Sequence, residues 1–527
     1  TTDHADIFAA VDDLSVQTKS AMGFSGGHIN NSSDLPITEQ LTNSMPAFLA
    51  YVKSLHEEKF KDNFTTTENE LKKAIELDDS FAVASAQYAL LLMGQTRTAE
   101  GLSQLKMAKM HNYRLTDSNK FTLATIEALF SANPASAKSI VHQWIALYPD
   151  DVIAWSVKTM LHINFNERLL AIESIREVIK LEPFGTHRHL TIGEIYTSLG
   201  DIESALSEYE IFTRDNPANA KGHLLVGDSN RTLGHLQIAM KEYQQAKLLL
   251  TNDLTADRKL ANLILRQGNF KQAEIEMTNY LNASGIPEEK YAAWTELANY
   301  YWLRGQIKES LRAFRESFEA LKIFSPENNY LLIRVQESWR FAASGSPEEG
   351  QQMINDAQLV LNISKNPLYG LNLSISQALF NAHVGKTNEA LKLIDEVAEA
   401  VSKYVGSGSD DTIAMLKGIA LFKKEHYAES ASNLEQYLVK NPIDQIDLMA
   451  LMGESLIRSG KFKSARKVYE TILREFPSHP LANFGMARVE NNLEKPATAL
   501  PYLEKALQGW ELADSTYEPA IGAHKLY

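Results

Sequence analysis

The chain has 527 residues, no cysteine, and 52 Lys and Arg against 66 Asp and Glu, a formal charge of −14. The lack of thiols excludes a disulfide framework, thiol catalysis and Cys-ligated zinc or iron–sulfur sites. The acid surplus repels phosphate backbones and argues against direct nucleic-acid binding, while 44% hydrophobic and 22% charged residues describe a folded globular chain and only 26 Gly and 16 Pro argue against a loop-rich all-β one.

At the N-terminus, residues 5–22 read as one amphipathic helix, with Ile7, Val11, Leu14 and Met22 on a common face. Residues 23–44 are rich in Gly, Ser and Asn and read as a linker. Within it, Gly23-Phe24-Ser25-Gly26-Gly27 spells the pattern of a nucleophile elbow, followed by His28. That elbow needs a strand before it and a helix after it, whereas here a helix precedes and a polar linker follows, so the linker reading stands. No basic segment leads into an apolar stretch, so no signal peptide is expected, and the opening at Thr1 fits either a processed protein or a segment of a longer one. The longest apolar run, Tyr88-Ala-Leu-Leu-Leu-Met93, is far short of a bilayer span, so no membrane span is expected. The first helix of the main body is expected to start after Leu41-Thr-Asn-Ser-Met45, capped by Asn43 or Ser44.

From there the chain repeats itself. Ala137, Ala171, Ala205, Ala239 and Ala273 recur every 34 residues, as do Gly193 and Gly227, Gly200, Gly234 and Gly268, and Tyr209 and Tyr243. Five blocks share one phase: 118–151, 152–185, 186–219, 220–253 and 254–287. Each reads as two short helices. In 186–219, His189, Ile192, Gly193 and Tyr196 mark one face of the first, Gly200-Asp201 ends it, Ala205, Tyr209 and Phe212 mark the second, and Pro217 closes the block. Gly193 and Ala205 are expected where the two helices cross, because small side chains allow close approach. Further copies lie at 411–444 and 446–479, and weaker ones at 48–81, 82–117, 291–326, 368–407 and 480–513. Three residues are inserted near Ser284-Gly-Ile-Pro287, Gly406-Ser-Gly-Ser-Asp410 is a longer loop, and 327–367 breaks phase although Trp339 and Phe341 mark it as helical and packed. The organisation expected is an N-terminal helix and linker (1–44), an array (45–326), a degenerate helical junction (327–367), a second stretch of array (368–513) and a capping helix (514–527).

The spacing of large residue, Gly, Tyr, Gly, Ala, aromatic, Ala and Pro resembles the tetratricopeptide repeat family, over about residues 45–513. The resemblance implies an all-α, right-handed solenoid of about 12–13 helix pairs, a non-catalytic interaction scaffold with a protein or peptide partner, and no cofactor. It also implies that the first helix of each pair lines a concave face, through the second, fifth, ninth, twelfth and thirteenth positions of the block. Two adjoining blocks then offer Arg258, Asn262, Leu265 and Arg266, and Thr295, Asn299 and Trp302. Arg forks grip carboxylates, Asn pairs with peptide groups and Trp anchors apolar side chains, so Arg258, Asn262, Arg266, Thr295, Asn299 and Trp302 are the candidate partner-binding residues. Such an array, in which each repeat touches only its neighbours, is expected to flex. The segments Ile7-Phe8, Val11-Asp12-Asp13-Leu14 and Thr42-Asn43-Ser44 resemble a junction in bacterial multidomain regulators, which implies an upstream serine/threonine kinase or winged-helix module.

No other motif carries chemistry. His187 and His189 lack a second ligand pair, and His56-Glu57-Glu58 lacks the second His of a zinc protease helix. Asp78-Asp79, Asp150-Asp151 and Asp410-Asp411 read as helix caps and turns. Tyr300, Tyr301, Phe314 and Phe318 read as core.

Overall fold

The computed structural model describes residues 4–21, 37–61, 64–95, 97–131, 133–183, 185–250, 253–363, 367–405 and 410–527, and among them there is no strand. The Gly23–Gly27 stretch and Gly406–Ser409 lie outside the described residues. The chain divides into two units, Thr1–Gly185 and Thr186–Tyr527.

The first unit opens with α1 (His4–Ala21) and a short α2 (Ile37–Gln40). Four helix pairs follow: α3 (Met45–Lys61) with α4 (Phe64–Leu77), α5 (Ala82–Gly94) with α6 (Thr98–Met110), α7 (Asp117–Phe130) with α8 (Pro134–Leu147), and α9 (Val152–Asn164) with α10 (Arg168–Leu181). The expected face of α1 is corrected. Val11 and Leu14 are exposed, and the buried side chain is Phe8, edge-on to Phe48 at 5.6 Å. The side chains of Ile7 and Met22, the other two residues of the expected face, lie outside the described residues. The end of the segment read as linker is also anchored: Thr42 is buried and its hydroxyl donates to Asp78 at 2.5 Å. Ser44 does cap α3, accepting from the Ala47 amide at 3.3 Å. Asp151 shows how one acid joins three helices. It caps α9 through the amides of Ile153 and Ala154, and it accepts from the Trp144 indole of α8 at 2.9 Å and from Ser118 of α7 at 2.5 Å.

The second unit begins with α11 (His187–Leu199) and α12 (Ile202–Asp215), then α13 (Ala220–Thr232) and α14 (Leu236–Leu249), α15 (Thr255–Arg266) and α16 (Phe270–Ala283), and α17 (Pro287–Leu303) and α18 (Ile307–Phe324). The out-of-phase stretch is itself a helix pair. Its first member is broken into α19 (Glu327–Arg334), a 3-10 turn (Val335–Glu337) and α20 (Ser338–Ala343), and its second is α21 (Pro347–Ile363). One apolar cluster runs through it without interruption, from Leu297 and Phe314 by way of Phe341 and Met353 to Leu373 and Phe380. The pairs α22 (Pro367–His383) with α23 (Thr387–Val405), α24 (Asp410–Lys423) with α25 (Tyr427–Lys440), α26 (Ile446–Arg458) with α27 (Phe462–Glu475), and α28 (Pro480–Asn492) with α29 (Pro496–Gly509) complete the array. The terminal α30 (Glu518–Leu526) buries Ala520 and Ala523 in a cluster with Leu503 and Trp510. The fold is therefore all-α, a solenoid of helix pairs.

The 34-residue pattern has identifiable physical causes. At Gly193 a Cβ would lie 2.3 Å from the Tyr209 ring, at Gly227 2.4 Å from Tyr243, and at Gly453 2.6 Å from Tyr469. The small residue of the first helix thus accommodates the tyrosine sixteen positions later, and Ala205 on the same second helix is fully buried. The turn between the helices ends in the left-handed conformation at Gly200 (φ 80°), Gly234 (84°), Gly268 (85°) and Gly305 (68°), where a side chain would strain the backbone. The proline that closes a block leaves its carbonyl to the next first helix: Trp155 donates to Pro149 at 2.8 Å and Asn483 to Pro477 at 3.0 Å, and the His223 ring contacts Pro217 at 3.1 Å. The three inserted residues near Pro287 are absorbed by longer helices, 17 and 18 residues in α17 and α18 against 12 and 14 in α15 and α16.

The expectation that each repeat touches only its neighbours is overturned in this unit. Arg231 pairs with Asp444 at 2.9 Å and with Glu475, and Arg266 pairs with Glu475 at 2.9 Å, across 209 to 244 residues of chain. The hydroxyl of Ser478 donates to the carbonyls of Leu265 and Arg266 at 2.8 and 3.0 Å. The Trp510 indole donates to Leu303 at 3.2 Å, the Asp514 amide to Gly305 at 2.9 Å, and Arg304 to Gly509 at 2.6 Å. These carbonyls sit at helix C-termini, where no intrahelical donor remains. Ser478, Trp510 and Asp514 of the later turn donate to carbonyls of the earlier one, and Arg304 of the earlier turn donates back to Gly509 of the later. These four glycines touch that later turn as well, since a Cβ on Gly200, Gly234, Gly268 or Gly305 would lie 2.7, 2.6, 3.2 or 2.4 Å from Pro442, Arg474, Ser478 or Tyr517. The solenoid of the second unit completes a turn and seats on itself along a seam.

Candidate functional site

Inside the second unit, the first helices α11, α13, α15 and α17, with Tyr209 and Tyr243 of the second helices and the loop after α25, line an open pocket of about 340 Å3. Its wall contains Arg258, Asn262 and Arg266, three of the six candidate residues, together with Asp228, Arg231, Lys259 and Glu296. Thr295, Asn299 and Trp302 lie outside the wall, on α17.

The cavity's charges are matched in pairs. Lys259 grips both oxygens of Asp228 at 2.7 and 2.8 Å, and Tyr243 donates to the same carboxylate at 2.7 Å. Arg258 pairs with Glu296 at 3.0 Å, and Asn262 donates to the other oxygen of Glu296 and to the Arg258 carbonyl, both at 3.1 Å. Arg266 lies over the Phe476 ring at 5.0 Å while it pairs with Glu475. Burial weighs against the Arg231 charge, but Asp444 and Glu475 outweigh it and hold the guanidinium above its ordinary range. Burial and the neighbouring Arg231 push Arg266 the other way, because Glu475 is shared between the two cations. Burial and Asp228 push the Tyr243 phenol up, so it serves as a hydrogen-bond donor rather than a base.

Thr295 donates to the Tyr291 carbonyl at 2.8 Å, Asn299 is exposed, and Trp302 is half-buried beside Arg340 and Trp339. Asp228, Arg231 and Lys259 were missed by the sequence reading. Asp228 and Arg231 occupy the ninth and twelfth positions of block 220–253, so the rule that picked out Asn262 and Leu265 would have found them one repeat earlier. Asp444 and Glu475 carried no such signal, because only closure of the seam brings them in.

His189 does not lie free for metal binding: its ring contacts Glu208 at 2.6 Å, and His223 repeats the contact with Glu242 at 2.7 Å. Among the described residues no three His, Asp or Glu side chains converge as a metal site, and no helix is long and apolar enough to cross a membrane.

The family profile for the tetratricopeptide repeat matches residues 450–514. No curated protein is similar enough to count as a match. Among solved structures, the chain is similar to MamA 41-end from Desulfovibrio magneticus RS-1 (18% identity, TM-score 0.28, covering 32% of this chain and 96% of that one). It is also similar to the APC/C hetero-tetramer Cut9-Hcn1 (11%, 0.33, 97% and 98%) and to yeast Tom70 (12%, 0.34, 77% and 94%). Scores this low carry no argument about function.

Proposed function

We propose that the protein is a non-catalytic scaffold that captures a protein or peptide partner on the inner face of its second unit, with Arg258, Asn262, Arg266, Thr295, Asn299 and Trp302 as contact residues. The observation that supports this most is the shared cavity, in which inward side chains from successive first helices converge. Its guanidinium, amide, ammonium and hydroxyl groups suit recognition of carboxylates and peptide groups. Because Arg258 and Asn262 are already held by Glu296, a partner carboxylate competes with an internal one, and capture involves an exchange of ion pairs. The test is affinity capture from the native organism with the full chain and with an Arg258→Ala, Asn262→Ala double variant, which alters the cavity wall. Loss of the captured protein at unchanged helical content is the expected result, and undiminished capture dismisses the site.

A second reading makes the chain the sensory segment of a larger signalling protein with a kinase or winged-helix module. The docking of α1 through Phe8 on Phe48 favours it, since that contact couples anything upstream to the first pair. The coding sequence upstream of Thr1 decides it.

A further inference from the structure

Beyond the cavity, the first helices α17, α19–α20, α22 and α24 place Trp302, Trp339, His383 and Lys423 in succession. The Trp302 and Trp339 rings meet edge-on at 5.8 Å, and Trp339 lies 5.0 Å from the His383 ring. Arg340 locks this platform from beneath, with its guanidinium 4.9 Å from Trp302, 4.8 Å from Trp339 and 5.1 Å from Phe314, and with Glu337 bound at 2.7 Å. Rings held this way lose little freedom on binding, and Trp and Arg are the residue types that dominate binding energies.

The polar groups along the strip are unspent. The His383 Nδ1 donates to the Leu379 carbonyl at 2.8 Å, so Nε2 is left as an acceptor. Burial and the nearby Lys423 charge press its pKa down to about 4, so the ring is neutral at pH 7. Among the described residues, neither indole N–H of Trp302 or Trp339 has a hydrogen-bond partner, and Lys423 has no ion pair. Its neighbours in the same repeat are paired, Lys417 with Asp395 at 2.8 Å and Lys440 with Asp411 at 2.7 Å. Lys423 is open to solvent, yet the protein around it pushes its pKa down by desolvation alone. In a chain with a formal charge of −14, an ammonium without a counter-charge beside an aromatic platform calls for an external anion.

We propose that this strip is a second contact site, for a partner segment that carries a carboxylate next to an aromatic side chain. The aromatic ring packs on Trp339 and Trp302, the carboxylate meets Lys423, and a peptide N–H donates to His383 Nε2. The inference rests on the scaffold reading above and adds the chemistry of the bound segment.

The test uses the full chain and three fluorescein-labelled hexapeptides, alternating Asp with Phe, Asn with Phe, and Asp with Ser, read by anisotropy. The Asp–Phe peptide is expected to bind at least about tenfold more tightly than the other two. Lys423→Glu and Trp339→Ala are each expected to weaken it by at least about tenfold, with Lys423→Arg retaining it. Trp339→Phe keeps a ring on Arg340 and guards against a folding defect in the alanine variant. No binding of the Asp–Phe peptide, equal binding of all three, or indifference to Lys423→Glu overturns the proposal. If the Asp–Phe peptide responds to Arg258→Ala but not to Lys423→Glu, the strip is dismissed while the scaffold reading stands.

Discussion

Glu475→Gln is the most direct probe of the seam. It keeps the side-chain shape and removes the charge that two guanidinium groups share. The side chains of Arg231, Arg266 and Glu475 are only 11%, 15% and 13% exposed. Removing one partner from a buried ion pair costs about 3–5 kcal/mol, because the remaining charge is stranded away from water. Two features reduce this. The glutamine oxygen still accepts one hydrogen bond, and Arg231 keeps Asp444 at 2.9 Å. That second partner is 61% exposed, and an exposed pair contributes no more than about 1 kcal/mol. A loss of about 2–4 kcal/mol is expected, or about 3–6 °C in the unfolding temperature of the second unit. Because repeat arrays need not unfold in one step, hydrogen exchange is the sharper assay. The Asp514 amide, which donates to the Gly305 carbonyl, should exchange faster in the variant, while amides of the first unit are unchanged. The control is Glu470→Gln, which removes an exposed partner of Arg466. If Glu475→Gln unfolds with the wild type and leaves exchange along the seam unaltered, the ion pairs do not hold the two turns together.

Other perturbations follow from single contacts. Gly193→Ala drives a Cβ into the Tyr209 ring and should cost about 1–3 kcal/mol in thermal unfolding, whereas Gly285→Ala, with nothing within 4 Å, should lie within about 1 kcal/mol of wild type. Gly234→Ala strains a backbone at φ 84° and meets the Arg474 carbonyl at 2.6 Å, so it should loosen the seam as measured by exchange of residues 474–517. His479 and His383 are both held down to about 4, chiefly by burial, so the unfolded chain takes up protons that the folded one refuses below about pH 6.5. Stability should be independent of these groups above that pH and fall by up to about 1.4 kcal/mol per unit for each histidine as the pH drops towards 4. His479→Asn, which preserves the cap on the Ala482 amide without titrating, should flatten denaturant midpoints measured between pH 7 and 5. Glu296→Gln frees Arg258 and Asn262 and should strengthen capture of a carboxylate-bearing partner, as read by isothermal titration.

Local chemistry made the helix pairs readable from sequence. Gly193 and Tyr209, the left-handed Gly200 and the closing Pro217 each act within one repeat, so their spacing is printed in the chain. The same locality explains why Arg258, Asn262 and Arg266 were placed together on one helix. What was not legible depends on distances that no periodicity encodes. Nothing about Asp444 or Glu475 marks them as partners of Arg231, because more than 200 residues of packed helices set where they arrive. The faulty reading of α1 has the opposite cause. Val11 and Leu14 have the spacing of a buried stripe, but both are exposed, and it is Phe8 that is buried and packs on Phe48. The broken helix at 327–343 hid its membership of the array because the left-handed Gly345 stands 40 residues after Gly305, out of phase with the blocks on either side.

The row of glycines has a consequence for the length of the protein. An open solenoid tolerates gain or loss of one unit, since every internal joint is equivalent. Here Gly200, Gly234, Gly268 and Gly305 each meet a particular residue of the following coil, namely Pro442, Arg474, Ser478 and Tyr517. Adding or deleting a single pair between residues 306 and 441 would rotate the following coil past every one of these docking points. The copy number of that arc is therefore locked by geometry, as the tooth count of one gear is locked by its mate.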